Sequence, residues 1–80
     1  MNAQDIEQQV KAILADKLDA APEKITPDAR LAEDLNMDSF AAIEMAFALE
    51  EKFYLKIPDS DIMAVKTVRD VVDYIQRRRG

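Results

Sequence analysis

Cysteine and histidine are both missing from this chain of 80 residues. Without cysteine there is no disulfide framework and no thiolate nucleophile. Without histidine the usual general base and the commonest metal ligand are gone. A single glycine leaves few positions suited to positive φ, which argues against a turn-rich β fold. Long apolar runs are lacking too: none approaches the roughly 20 residues that cross a bilayer. The stretch Met1-Asn2-Ala3-Gln4-Asp5 has neither the basic nor the apolar region of a signal peptide. These absences predict a cytoplasmic protein with no membrane insertion. They also predict no catalytic and no metal-binding residues of its own.

What is present fits a single domain over 1–80. A chain this short buries about 60–65% of its unfolded surface, so its stability is modest. The net charge is −5, and it is unevenly placed. Between Glu33 and Asp61 stand eight acids and only two bases, Lys52 and Lys56. The remainder holds eight acids and nine bases. An acidic middle repels nucleic acid and steers basic protein partners. Acids also keep a small domain soluble, and acidity alone does not separate the two roles.

Apolar spacing predicts four helices. Ile6, Val10, Ile13 and Leu14 fall at i, i+4, i+7 and i+8, giving a first helix from about Ala3 to Leu18 with Asn2 as its cap. Pro22 closes that region. A long connection, Asp19 to Asp38, follows. Thr26-Pro27 predicts a short helical turn within it, and Leu31 and Leu35 are expected to pin it to the core. The second helix runs from Ser39 to about Phe53. Ile57-Pro58-Asp59 breaks the pattern, and a short third helix spans about Asp59 to Val65. The fourth starts at Thr67 with Asp70 in a capping-box position. Val68, Val71, Val72 and Ile75 form its stripe. Arg77, Arg78 and Arg79 complement its dipole as a solvated end.

Advancing the second helix by about 100° per residue gives it two apolar faces. Ala42, Met45, Ala46, Leu49 and Phe53 share one side, the natural core face. Phe40, Ile43 and Phe47 share the other, framed by Glu44, Glu50 and Glu51. One small domain cannot bury both. The outer strip is either shielded by a neighbouring segment or left as a partner-docking surface. On the core side, Ala42 and Ala46 either admit a close helix or leave room for an apolar guest beside Met45.

Asp38-Ser39 opens this helix. Ser39 lacks a neighbouring base and a glycine-rich elbow, which excludes self-contained hydrolase chemistry. Either Asp38 or Ser39 serves as the cap. Ser39 is otherwise a modification site, at a helix start that favours an attached phosphate. Glu33, Asp34 and Asp38 match no calcium loop and are expected to be solvated carboxylates.

The ordered set of motifs resembles the acyl carrier proteins. The match runs from about Ile6 to Ile75. Its strongest part is Leu31-Ala32-Glu33-Asp34-Leu35-Asn36-Met37-Asp38-Ser39-Phe40, similar to the family's Asp-Ser-Leu attachment motif. Ala48-Leu49-Glu50-Glu51-Lys52-Phe53, Ile57-Pro58-Asp59 and Val72-Asp73-Tyr74-Ile75 resemble later blocks in order and spacing. The resemblance implies an all-α, right-turning four-helix bundle with three longer helices, one short helix and a long first loop. It implies a 4′-phosphopantetheine arm on Ser39, with Asp38 shaping that site. A phosphopantetheinyl transferase, such as a holo-acyl-carrier-protein synthase, would attach the arm, making the chain a substrate and not an enzyme. Acyl groups would travel as thioesters on the arm, which supplies the missing sulfur. Phe40, Ile43, Glu44, Phe47, Glu50 and Glu51 map onto the helix gripped by acyl-transferring and synthase enzymes with basic docking patches. Fatty acid or related specialised lipid biosynthesis by a monomer is the expected setting. Carriage of polyketide or aminoacyl intermediates, or service as an unmodified helical adaptor, are the alternatives. Asn36, Phe40 and Ala41 depart from the family's usual Gly, Leu and acid, and Lys52, Tyr54 and Lys56 interrupt a stretch that is often more acidic.

Overall fold

The computed structural model describes residues 2–79, excluding the side chains of Ala3 and Arg79. In chain order the helices are α1 (Ala3–Lys17), α2 (Ser39–Phe53), α3 (Asp59–Ala64) and α4 (Val68–Arg79), with a 3₁₀ turn at Pro22–Lys24. The architecture is all-helical, as the pattern predicts: three long helices and one short one. α1 packs against α2 and α4, and α3 packs against α2.

Each long helix starts on a side-chain cap, which supplies an acceptor for otherwise orphaned N–H groups. Asn2 Oδ1 accepts the Asp5 N–H at 2.9 Å. Asp38 Oδ1 accepts the Ala41 N–H at 2.8 Å. The box at α4 is reciprocal: Asp70 N–H donates to Thr67 Oγ1, and Thr67 N–H donates to Asp70 Oδ2. Asp70 Oδ2 also takes the Lys66 N–H at 3.0 Å. That amide, followed by those at Thr67, holds the Asp70 carboxyl below the usual carboxylate range despite some burial.

The core is apolar throughout. Ile6, Val10 and Leu14 from α1 meet Met45, Leu49 and Phe53 from α2 and Val68, Val71 and Ile75 from α4. Each large buried side chain contributes about 1.5–3 kcal/mol. Ile13, expected in the α1 stripe, is only partly buried at its edge. Of the terminal arginines, Arg77 and Arg78 are exposed, whereas the Arg79 side chain lies outside the described residues. Arg78 also stacks on the Tyr74 ring at 5.6 Å.

The long first loop follows a fixed path. Leu31 and Leu35 are buried as expected, and Ile25 and Ala29 join them. Residues 27–31 run antiparallel to 66–69. Leu31 N–H donates to Lys66 O, Val68 N–H to Ala29 O, and Arg69 N–H to Pro27 O. Arg69 also forms an ion pair with Asp28 at 2.7 Å. The expected turn at Thr26-Pro27 is present as a single hydrogen-bonded turn, with Ala29 N–H donating to Thr26 O at 3.0 Å. A further, 3₁₀ turn forms at Pro22, a proline suited to a first helical position.

α3 has six residues, too few to be stable alone. Ile62 anchors it in the core. The Tyr74 hydroxyl donates to Asp61 Oδ2 at 2.6 Å, tying α3 to α4. Burial, then this hydrogen bond, raises the Tyr74 pKa above its usual value. α2 ends at Tyr54, whose φ of 56° and ψ of 52° lie in the left-handed region. That geometry costs a residue with a Cβ about 1–2 kcal/mol. Asn36 also has positive φ, at 58°. Its departure from the family's Gly is therefore mild, since asparagine tolerates this region best among residues with a Cβ.

Candidate functional site

The acidic loop and the start of α2 meet in one place. Asp38 is the cap and stays extended, with ψ at −177°. Ser39 is the first residue of α2 and is exposed. Its side chain makes no hydrogen bond among the described residues. The choice left open by the sequence is thus resolved: Asp38 caps, and the Ser39 hydroxyl points away from that task. A hydroxyl here lies beside the first N–H groups of a helix, where a phosphate is stabilised by the dipole.

Beside Ser39 lies a cleft of about 410 Å³, open to solvent. Met37, Ala42, Ile62, Met63 and Val65 supply apolar wall, and Arg30 and Lys66 bring cations to the lining. A long, thin substituent on Ser39 has both space and apolar wall here, so the residues fit a phosphate-linked arm. Ala42 is fully buried yet lines this cleft, whereas Ala46 packs into the core. Of the two small residues, only Ala42 borders the space. Met37 and Met63 were not read as wall from the sequence. Their thioethers are adaptable, but nothing in local spacing marks two methionines from different segments as neighbours.

The acids around the site fall into two groups. Glu33 and Asp34 are exposed, as expected, and both pair with Arg30. Arg30 Nη1 meets Glu33 at 2.8 Å and Arg30 Nε meets Asp34 at 3.5 Å. Asp34 Oδ2 also accepts the Arg30 N–H at 2.8 Å, which, as the leading cause, lowers its pKa. Among the described residues no cluster of acids is arranged to hold a metal ion. Glu44 and Glu51, in contrast, are exposed on α2 and form no ion pair among the described residues.

The outer face of α2 is open along its length. Phe40 is 70% exposed, Ile43 46% and Phe47 62%. No segment among the described residues shields them, which removes that alternative. Glu50 needs a correction. It is half-buried, and its Oε2 accepts the Ile57 N–H at 2.8 Å. It fastens the turn after α2, so it stands at the edge of the acidic frame and is not one of its free charges.

The phosphopantetheine attachment site family matches residues 8–75, most of the chain. The chain belongs to the acyl carrier protein family. The acyl carrier protein of Thermosynechococcus vestitus is 49% identical over 78 residues, 98% of this chain and 96% of that one. That of Helicobacter hepaticus is 41% identical over 75 residues, 94% of this chain and 99% of its own. That of Akkermansia muciniphila is 38% identical over the full 80 residues of both. The family's cofactor is a covalently attached 4′-phosphopantetheine. Acyl carrier proteins carry and do not catalyse. Among the described residues, no helix is long and apolar enough to cross a membrane.

Proposed function

We propose that residues 1–80 form one carrier domain whose arm is attached at Ser39. The observation behind this is the division of labour at the start of α2. Asp38 satisfies the Ala41 N–H, and the exposed Ser39 hydroxyl is left unbonded. A transferase supplies what the chain lacks. The Ser39 Oγ–phosphorus bond forms as the pyrophosphate bond of coenzyme A breaks. The adenosine half of the coenzyme leaves, and the hydroxyl proton passes to a base of the transferase. Asp38 holds the helix start in place for this step and offers a carboxylate to the transferase or its metal.

The loaded arm carries acyl intermediates of fatty acid or related lipid synthesis in the cytoplasm as a monomer. Phe40, Ile43 and Phe47 supply apolar contact to partner enzymes, and Glu44 and Glu51 attract their basic patches. The cleft beside Ala42 takes the arm or the first part of its cargo. Incubation of the apo protein with coenzyme A, magnesium and a broad-specificity transferase tests the assignment by intact mass. One arm is added to the protein, and none to Ser39→Ala. An unmodified protein, or arm addition to the Ser39→Ala variant, overturns the assignment.

A further inference from the structure

α3 is fixed at both flanks and held more lightly between them. On one side Pro58 restricts its entry, and the Ile57 N–H donates to Glu50 Oε2 at 2.8 Å. On the other, Lys66 N–H donates to Asp70 at 3.0 Å, and Lys66 O accepts the Leu31 N–H at 2.9 Å. The six residues of the helix itself have no side-chain cap. Ile62 is the one side chain they bury. The Tyr74 hydroxyl of α4 donates to Asp61 Oδ2 at 2.6 Å, which is the one side-chain hydrogen bond of α3 among the described residues.

These two fastenings are adjacent in sequence and face different ways, since consecutive helical side chains diverge by about 100°. Asp61 turns toward α4. Ile62, with Met63 and Val65, forms the α3 wall of the cleft beside Ser39, which Met37 and Ala42 line from the loop and α2. Ile62 also belongs to the core cluster that contains Met45 and Leu49. An outward swing of α3 about its fixed flanks therefore deepens the cleft toward the core. The Tyr74–Asp61 bond opposes that swing. Tyr74 is itself secured, since its ring packs against the core and Arg78 lies over it at 5.6 Å.

Magnitudes decide what such a bond can do. A partly exposed hydrogen bond to a charged group favours the closed state by about tenfold. Each cargo methylene moved from water onto apolar wall favours entry by about fourfold. One methylene does not offset the bond, and two do.

We propose that Tyr74 and Asp61 set a length threshold for linear acyl cargo, holding α3 closed until the chain offers about two methylenes more than the cleft alone would require. They are specificity-determining residues that touch neither arm nor thioester and act through the position of α3. This inference rests on the assignment of the arm to Ser39 and of the cleft to its cargo.

The test uses protein loaded at Ser39 with saturated acyl groups of rising length, transferred from the acyl-coenzyme A series by a broad-specificity transferase. Hydroxylamine attacks each thioester carbonyl, releases the acyl group as a hydroxamate and frees the thiol of the arm. Intact mass follows the loss. A chain inside the cleft is protected, so in the unmutated protein the rate falls beyond a threshold length. Tyr74→Phe keeps the ring and moves that threshold about two methylenes shorter. Asp61→Ala moves it equally, and the double variant moves it no further than either alone. Asp61→Asn retains an acceptor and stays near the parent. Val10→Ala weakens the core from α1, which packs on α2 and α4, and leaves the threshold in place. Equal thresholds in the parent, Tyr74→Phe and Asp61→Ala overturn the proposal, as do rates that ignore chain length. An equal shift in Val10→Ala also overturns it, since that marks general destabilisation. Failure of the unmutated protein to accept any arm is a distinct result, which defeats the Ser39 assignment and this inference with it.

Discussion

The two ends of α2 are built on opposite terms. At the Ser39 end, each local preference is met. An aspartate caps the helix, an asparagine takes the positive φ just before it, and Arg30 neutralises the adjacent acids. At the Tyr54 end, an aromatic residue sits in a left-handed cap and is 90% exposed. The first end is stabilised locally so that one hydroxyl is left available. The second carries local strain and leaves one ring exposed. Low strain around a reactive group and strain beneath an exposed one call for different experiments.

The largest expected effect lies in the contrast between neighbours at the strained end. Phe53 is 1% exposed and Tyr54 is 90% exposed. Phe53→Ala empties the core and costs about 3–5 kcal/mol of stability in urea titrations. A loss below about 1 kcal/mol would mean that the core is not closed at this end.

Next come the two caps, which shift stability in opposite directions. Asp38→Ala removes the acceptor for Ala41 N–H and costs about 1 kcal/mol, whereas Asp38→Asn retains most of it. Tyr54→Gly relieves the left-handed cap and gains up to about 1 kcal/mol. If both variants destabilise, the Tyr54 ring has a packing role and the contrast between the ends fails.

Much of this molecule was legible before any coordinates. Alternation of Ala42, Met45, Ala46, Leu49 and Phe53 with Phe40, Ile43 and Phe47 divides α2 correctly into an inner and an outer face, because side-chain direction follows from helical spacing alone. The capping residues Asn2 and Thr67 were equally readable, since their bonds span only three residues. What escaped involves contacts distant in sequence or side chains reaching across a turn. Arg30 lies just outside the acidic segment and pairs with two of its acids. Pairing of 27–31 with 66–69 ties the first loop to the start of α4. Glu50 reads as a surface acid by spacing, yet its carboxylate reaches the Ile57 amide, seven residues on. The cleft beside Ser39 unites residues from the loop, α2 and the α3 region, which no one-dimensional pattern records.

A smaller effect follows from acid titration. Asp70 and Asp34 both have lowered pKa values in the folded state, each chiefly from a backbone N–H. Groups of this kind bind protons more readily when unfolded. They add stability above the ordinary value of 3.8, and that stability is lost as pH falls through the folded values. Asp70→Asn should therefore lie below the unmutated protein in stability at pH 7, by about 0.5–1 kcal/mol. The gap should narrow as pH drops below 3.8. Thermal melts of both proteins across that range check the sign. A gap that widens on acidification would show that Asp70 is not the group holding the start of α4.

The smallest effect tests the unpaired acids against the paired ones. Glu44→Lys reverses an exposed charge on the docking strip without touching a cap or the core. Arm addition at low salt should slow several-fold, mainly through association, and its salt dependence should weaken. At about 1 M salt, where the screening length is near 3 Å, the variant and the parent should converge. Glu33→Lys removes an acid already opposed by Arg30 and should slow transfer less. Equal slowing by both would mean that partners sense only the net charge of the molecule. A larger effect of Glu44 means that they read the pattern along α2, because the two substitutions change net charge identically and differ only in where the charge is displayed.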